Sequence, residues 1–403
     1  MNRQQSLITL DEFMENIPKS HLETILSFID WTLFKESFPT PLSKRGRKGY
    51  AKESLFKALI GMQVSQLANV TELVNRLKTD PVFKRICGFQ YKESPSKSTF
   101  SRFVRLLSET DVLERTYTSM LHDANEKGLL EASTVAIDAS KIDAYEHSVP
   151  KSKIPEDDPE FPNWGGKLDT NGNFIKWFGW KMHALVDAEN GIILTYCLTP
   201  ANIADMDMAE TLIKSLKDVF YGNLKPKYYV MDAGYDKQKL YETIFDDYQG
   251  QSITPINWRG TKTPPEGINF EGQLICPMNF PYVYGGNDNG TIRLLCPHVK
   301  GKCDCPMGSA WCTSSPNGYV GKARIKDNPR FVTAPFRGTD RFKTIYNKRT
   351  SVERTFGDLK ENYALDNIRV HTMRKAKVFI DTSCISHLAD RLSKAAAAEK
   401  TAA

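Results

Sequence analysis

Between residues 20 and 130 the apolar positions recur at helical spacing. Leu22, Ile25, Leu26, Ile29 and Trp31 share one face of a helix predicted over residues 21–34, and residues 54–77 continue the pattern with Gly61 as an interruption. After a turn-rich segment at 88–95, the capping residues Ser96 and Ser98 open a run in which apolar and basic positions alternate through Arg105. At Ser133 the period changes to that of strands. Residues 133–138 form a short apolar strand ending in Asp138, and 181–187 with 191–197 read as a hairpin about Glu189, Asn190 and Gly191. A helix over 205–219, a strand over 227–232 ending in Asp232, a helix over 237–248 and a strand over 252–256 complete an order expected of a mixed α+β fold, a sheet with flanking helices.

Residues 257–345 break this rhythm: they are rich in Gly, Pro and Asn and hold five of the chain's eight cysteines. They are expected to form an inserted subdomain placed before a last set of helices. The predicted division is a helical unit at 1–130, a first core part at 131–256, the insertion at 257–345, C-terminal helices at 346–392 and a flexible tail at 393–403. Residues 150–164, with Glu156, Asp157, Asp158 and Glu160, read as an acidic loop. At 403 residues the chain is long enough for two or three structural units. With 40% hydrophobic and 11% aromatic residues it is globular in composition, and no apolar run approaches the ~18 residues of a membrane span. The first residues lack the features of a secretory signal, which predicts a cytosolic protein.

The net charge of +6 is unevenly spread. Residues 41–57 carry six cations, Arg45, Arg47 and Lys48 among them, against one acid; residues 341–377 carry ten against four; the rest of the chain is net acidic. Two basic regions on an acidic background read as electrostatic footprints for nucleic acid, with a solvated basic face as the alternative. Lys97, Ser98, Ser101, Arg102 and Arg105 form the outward face of the helix after Ser96, which is either the recognition helix of a helix-turn-helix unit or an amphipathic helix in a bundle.

The most concentrated chemistry lies near the C-terminus. Tyr346, Arg349, Glu353 and Lys360 follow one another at steps of three, four and seven, which places a carboxylate, two cations and a phenol on one stripe of a predicted helix while Val352, Phe356 and Leu359 face inward. The alternatives are a capping box between Thr350 and Glu353 and an i,i+4 ion pair between Arg349 and Glu353. With Asp138 and Asp232 at strand ends, Glu353 completes a set of three acids whose mutual repulsion a divalent cation relieves. Mg²⁺ prefers such carboxylates with phosphate oxygens, and two ions ~3.5 to 4 Å apart support in-line displacement at phosphorus. The bland reading is that Asp138 and Asp232 cap the next turn.

Asp138, Asp232 and Glu353 resemble the DDE triad of RNase H-like transposases. Tyr346, Arg349, Glu353 and Lys360 match the Y-(2)-R-(3)-E-(6)-K signature of one branch of bacterial insertion-sequence enzymes. The resemblance implies an RNase H-like mixed sheet, an all-α N-terminal DNA-binding domain, and metal-dependent cleavage and strand transfer with Mg²⁺ or Mn²⁺ held by Asp138, Asp232 and Glu353. It also implies a nucleoid-associated enzyme acting on double-stranded DNA, at transposon ends and at a target, as a homodimer in the DNA complex. Arg349 and Lys360 would then grip phosphates, and Tyr346 would contact a displaced base together with Trp258 or Trp311. Lys181 and His183, on a strand beside Asp138, would touch the same DNA, with a core histidine as the alternative for His183. A nuclease without strand transfer and a catalytically silent DNA-binding relative are the competing functions.

Cys276, Cys296, Cys303, Cys305 and Cys312 lie close together in sequence with His298 among them. In a cytosolic protein such a cluster points to metal more than to disulfides. Structural Zn²⁺ and reduced structural cysteines are the two leading readings, with an iron–sulfur cluster as a third, since the spacing departs from paired C-x₂-C.

Overall fold

The computed structural model describes residues 12, 16, 18–39, 49–168, 172–261, 263–308, 311–316 and 318–402. Lys44, Arg45, Arg47 and Lys48, part of the first basic region, lie outside the described residues. Among those described, no helix is long and apolar enough to cross a membrane.

Among the described residues seven helices precede the first strand: α1 (His21–Ser27), α2 (Thr32–Ser37), α3 (Lys52–Val64), α4 (Val70–Thr79), α5 (Pro81–Ile86), α6 (Lys97–Ser108) and α7 (Val112–Glu126). Their starts follow local chemistry. Ser20 and Glu23 form a reciprocal capping box on α1, Asn69 caps α4, and Asp80 with Pro81 opens α5. The expected break at Gly61 does not occur. The helix passes through Gly61, whose missing side chain admits the Phe83 ring within 2.8 Å of where a Cβ would stand, and the chain turns instead after Val64, with Gln66 at φ 55°. The helix-turn-helix reading meets a different geometry: α5 ends at Ile86, and the segment to Lys97 is longer than the three- or four-residue turn of that motif.

The sheet is mixed. β1 (Thr134–Asp143) and β3 (Phe174–Asp187) are antiparallel, β4 (Ile193–Pro200) pairs with β3, and β5 (Tyr228–Val230) and β6 (Gln251–Ile253) continue parallel beyond β1. The first half of β3 pairs with β2 (Asn163–Leu168), a strand that begins inside the segment expected to be an acidic loop. α8 (Asp205–Val219) and α9 (Gln238–Asp246) lie between the later strands in sequence. The insertion holds a three-stranded antiparallel sheet, β7 (Val283–Asp288), β8 (Thr291–Leu295) and β9 (Val320–Arg324), packed on a small core of Ile292, Leu294, Ile325, Val332 and Phe336. The chain ends in α10 (Asp340–Asn347), α11 (Thr350–Asn362) and α12 (Met373–Ala402).

α12 organises the interior. It packs against α1, α3, α6 and α7 of the N-terminal region and against β4 of the sheet, so both regions share one apolar cluster. Its middle is buried all round, and several of its polar side chains find partners within that burial, while His387 Nδ1 has no hydrogen-bond partner. Thr382, Ser383 and Ser386 donate to carbonyls four residues back, and Asp381 accepts from Lys377 and Tyr196. The helix continues through residues 393–402, which the sequence reading sets apart as a tail.

At Gly179 of β3 the backbone of β1 lies so near that a Cβ would run into the carbonyl oxygen of Ile142. Backbone cannot yield as a side chain can. Gly179→Ala is therefore expected to cost about 1–3 kcal/mol, read as a lowered midpoint in thermal denaturation; an unchanged midpoint would contradict this packing.

Candidate active site

Strand register brings Asp138 and Asp232 together. β1 and β5 run parallel with Ala136 opposite Val230, and two residues further along each chain stand Asp138 and Asp232, at one level. The expectation that both aspartates end strands is met at neither: β5 stops at Val230, two residues before Asp232. β1 continues to Asp143, with Asp138 opposite Ala184 of β3, so Asp138 sits mid-strand where its neighbour β5 has already stopped. The end of β5 opens the flank of β1 at the carboxylate.

Each aspartate commits one oxygen to the backbone. Asp138 Oδ1 accepts the Ala139 N–H at 2.8 Å, and Asp232 Oδ1 accepts the Gly234 N–H at 2.7 Å, capping the short 3₁₀ turn Ala233–Tyr235. The capping role for Asp232 thus coexists with its place in the site. Gly234 permits it, since a Cβ there would come within 2.9 Å of the same carboxylate oxygen.

The stretch carrying Tyr346, Arg349, Glu353 and Lys360 is not the single helix expected. α10 ends at Asn347 and α11 begins at Thr350. Between them the N–H groups of Lys348, Arg349, Ser351 and Val352 each bond three residues back, a tightened turn. Thr350 and Glu353 form no capping box: the residue at the N-cap is Arg349, with no side-chain cap bond. Arg349 instead reaches two acids, Glu353 Oε1 from Nη2 at 2.8 Å and Asp138 Oδ2 from Nη1 at 3.8 Å. The i,i+4 pair exists, but it is one arm of a bridge that ties α11 to β1.

The electrostatics follow from this crowding. Burial raises the Asp138 carboxyl to about 6, with Asp232 and Glu353 adding to the rise while the Ala139 N–H and Arg349 oppose it. Burial works against the Arg349 charge, yet Glu353, Tyr346 and Asp138 outweigh it and hold the guanidinium more strongly protonated than usual. Half-buried Tyr346 is raised by burial, and Asp232 and Glu353 press in the same direction against Arg349. Among the described residues no group of three or more His, Cys, Asp or Glu side chains is arranged, as it stands, to hold a metal ion. In this site Arg349 takes the charge-compensating place between Asp138 and Glu353.

Of the other anticipated contacts, Lys181 donates to Asp205 Oδ1 at 2.8 Å and to the Ile203 carbonyl at 2.9 Å, and is half-buried. His183 is fully enclosed, which corrects its assignment as a DNA contact: its Nε2 meets Thr199 Oγ1 at 2.8 Å, and burial lowers it to about 4, so it is a neutral core histidine. Lys360 lies on α11 beyond Glu353 and pairs with Asp366 at 3.3 Å. Lys97, Arg102 and Arg105 are exposed on α6, as expected. Arg102 and Arg105 line a groove of about 920 Å³ with Tyr50, Lys52 and Lys92. Trp258 stacks on Phe331 and lines a cleft with Lys237, Arg259 and Arg330 of about 650 Å³, while Trp311 lies exposed on the insertion.

Two residues of the site escape sequence reasoning. Tyr235 is buried with its hydroxyl unpartnered, and burial raises it well above its usual value with Asp138, Asp205 and Asp232 contributing. Asp236, also buried, accepts both Arg330 Nε at 3.0 Å and Nη2 at 2.7 Å, fastening the insertion to the turn that follows Asp232. The available signal was their place directly after Asp232, the only residue of that segment given a role from sequence.

Two family models match the chain, Transposase DDE domain over residues 130–389 and Transposase domain (DUF772) over residues 11–106. No curated protein matches it. Among solved structures it is similar to the piggyBac transposase in a cryo-EM synaptic complex with hairpin DNA, at 12% identity over 94% of this chain and 75% of that one, with a TM-score of 0.39, a likeness too slight to bear on function. The DDE match takes in most of the chain and contains Asp138, Asp232 and Glu353 with the sheet and helices that carry them, so this chain belongs to the DDE transposase family, enzymes that cut DNA and join it to new DNA.

Proposed function

We propose that Asp138, Asp232 and Glu353 are the metal-binding acids of this transposase and that it acts at the ends of its own mobile element. The observation that carries the reading is the parallel register of β1 and β5, which levels Asp138 with Asp232, together with Arg349 bridging Asp138 to Glu353. Hard oxygen donors with a net negative charge fit Mg²⁺ or Mn²⁺. When bound, such ions supply an activated oxygen nucleophile and charge stabilisation at phosphorus.

The chain's own residues then divide the work. Asp138 and Asp232 hold their carboxylates fixed through the Ala139 and Gly234 N–H groups, so little ordering is left to the moment of reaction. Arg349 balances the acids until a cation does, after which its guanidinium is available to a phosphate. Lys360 supplies a second phosphate contact once drawn from Asp366, and Tyr346 and Trp258 offer aromatic faces beside the cut. The exposed face of α6, with Lys97, Arg102 and Arg105, reads the transposon end, and Lys181 steadies the edge of the site through Asp205. Two ends must be held at once for transposition, which favours a homodimer on DNA. The spacing of Tyr346, Arg349, Glu353 and Lys360 supports assigning the enzyme to the Y-R-E-K branch of the family.

Asp138→Asn, Asp232→Asn and Glu353→Gln are each expected to bind end DNA and to lose Mg²⁺-dependent cleavage by orders of magnitude in a strand-transfer assay. Asp138→Asn should also be more stable than wild type in metal-free buffer, by ~1–3 kcal/mol near pH 7. Its folded pKa is raised, so the charge costs stability as pH rises through about 6 and the difference should vanish below ~4, where Asp138 is protonated in both states. An Asn variant that cleaves normally, or that is less stable at neutral pH, contradicts this assignment.

Arg102→Ala and Arg105→Ala should weaken binding to the transposon end more than binding to random DNA, measured by mobility shift at fixed salt. Equal losses on both DNAs would show that α6 contributes charge alone.

A further inference from the structure

The insertion gathers thiols from distant points of its sequence around one small space. Cys276, Cys296, Cys303, Cys305, Cys312 and His298 all line a cavity of about 20 Å³, room for one water-sized or ion-sized occupant. All five cysteines are free thiols. Their backbone settings are alike: Cys276, Cys296 and Cys305 each accept, through their carbonyl, an N–H three or four residues ahead, from Asn279, Lys300 and Gly308. Each therefore heads a tight turn, and each is followed by proline. Gly318 closes over the same point, where a Cβ would come within 2.8 Å of the Cys296 Cβ. Cys305 donates its N–H to His298 Nδ1 at 3.3 Å, so the imidazole supports a thiol-bearing turn from behind.

We propose that this cavity is a structural zinc site, separate from the catalytic acids, in which Cys276, Cys296 and Cys305 are constant ligands and Cys303 or Cys312 completes the four. The side chains as they stand do not form an ion-holding group. Zinc would require χ1 rotation on these turns to bring sulfurs to the ~2.3 Å of a zinc–thiolate bond. The choice of the constant three follows from proximity. Burial and then Cys305, Cys276 and Cys296 raise the Cys303 thiol, and burial and then Cys276, Cys296 and Cys305 raise the Cys312 thiol, so both flank the same trio. Thiols crowded this way oppose one another's ionisation, and a divalent cation reverses that balance. The site would tie the end of β8 to the segments at 276–280 and 303–308 and to Cys312, which lie outside the insertion's small apolar core.

The test is elemental analysis of the full-length protein purified from zinc-containing medium. About one zinc per chain is expected in wild type, in Cys303→Ser and in Cys312→Ser. It should be lost from Cys276→Ser, Cys296→Ser, Cys305→Ser and the Cys303→Ser/Cys312→Ser pair. Because a cysteine variant can fail by misfolding, wild type is also titrated with a mercurial while released zinc is followed by a chromogenic chelator, and cobalt-loaded protein is examined for thiolate charge-transfer absorption. Zinc retained in Asp138→Asn/Asp232→Asn separates this site from the catalytic one. Metal-free wild type, iron in place of zinc, or full zinc in the Cys276→Ser/Cys296→Ser/Cys305→Ser triple variant would overturn the proposal.

Discussion

One electrostatic constraint shapes the candidate site: Asp138, Asp232 and Glu353 are three acids close enough that the latter two raise the carboxyl of the first. The register of β1 and β5 fixes the first two, and the turn between α10 and α11 fixes the third. Burial deepens the penalty, which is visible in the raised Asp138 carboxyl. The fold answers with Arg349, a cation on the backbone turn itself, whose two arms reach Asp138 and Glu353. On the proposed reading, a divalent ion held by these acids would take over that balancing charge, leaving the guanidinium able to meet an anionic substrate.

Much of the fold could be read from periodicity because its elements carry local signals. Ser96 caps α6 where a capping residue was read, and the change from helical to strand period at Ser133 falls one residue before β1. The failures are equally local in cause. Gly61 looks like a helix break, but its absent side chain is used by Phe83, a contact set in tertiary space. β2 was hidden because it pairs only with the outer half of β3 and its exposed, glycine-containing sequence lacks alternation. The role of α12 was also hidden, since a helix buried on every side has no amphipathic stripe to announce which neighbours it meets.

In the site, residue identities were more legible than their arrangement. The three acids stand out because each ends or follows a recognisable element, whereas the position of Asp138 within β1 depends on where β5 stops. Spacing alone drew Tyr346 to Lys360 as one helix; the i→i−3 bonds that break it come from packing α10 against β5 and β6, which spacing cannot express. His183 shows the converse. Its place on the strand beside Asp138 was correctly read, but which face of β3 it occupies decides between solvent and core, and it occupies the core. Membership of the DDE transposase family rests on the family match, while the Y-R-E-K branch rests on the motif alone.

The central claim is that these three acids bind the catalytic metal directly, and ligand softness tests it. Sulfur is a poor partner for Mg²⁺ and a better one for Mn²⁺. In Asp138→Cys, Asp232→Cys and Glu353→Cys, cleavage of transposon-end DNA should be lost with Mg²⁺ and restored, at least in part, when Mn²⁺ replaces it. Wild-type rates with Mg²⁺ in any of the three, or no response to Mn²⁺ in all of them, would contradict direct ligation.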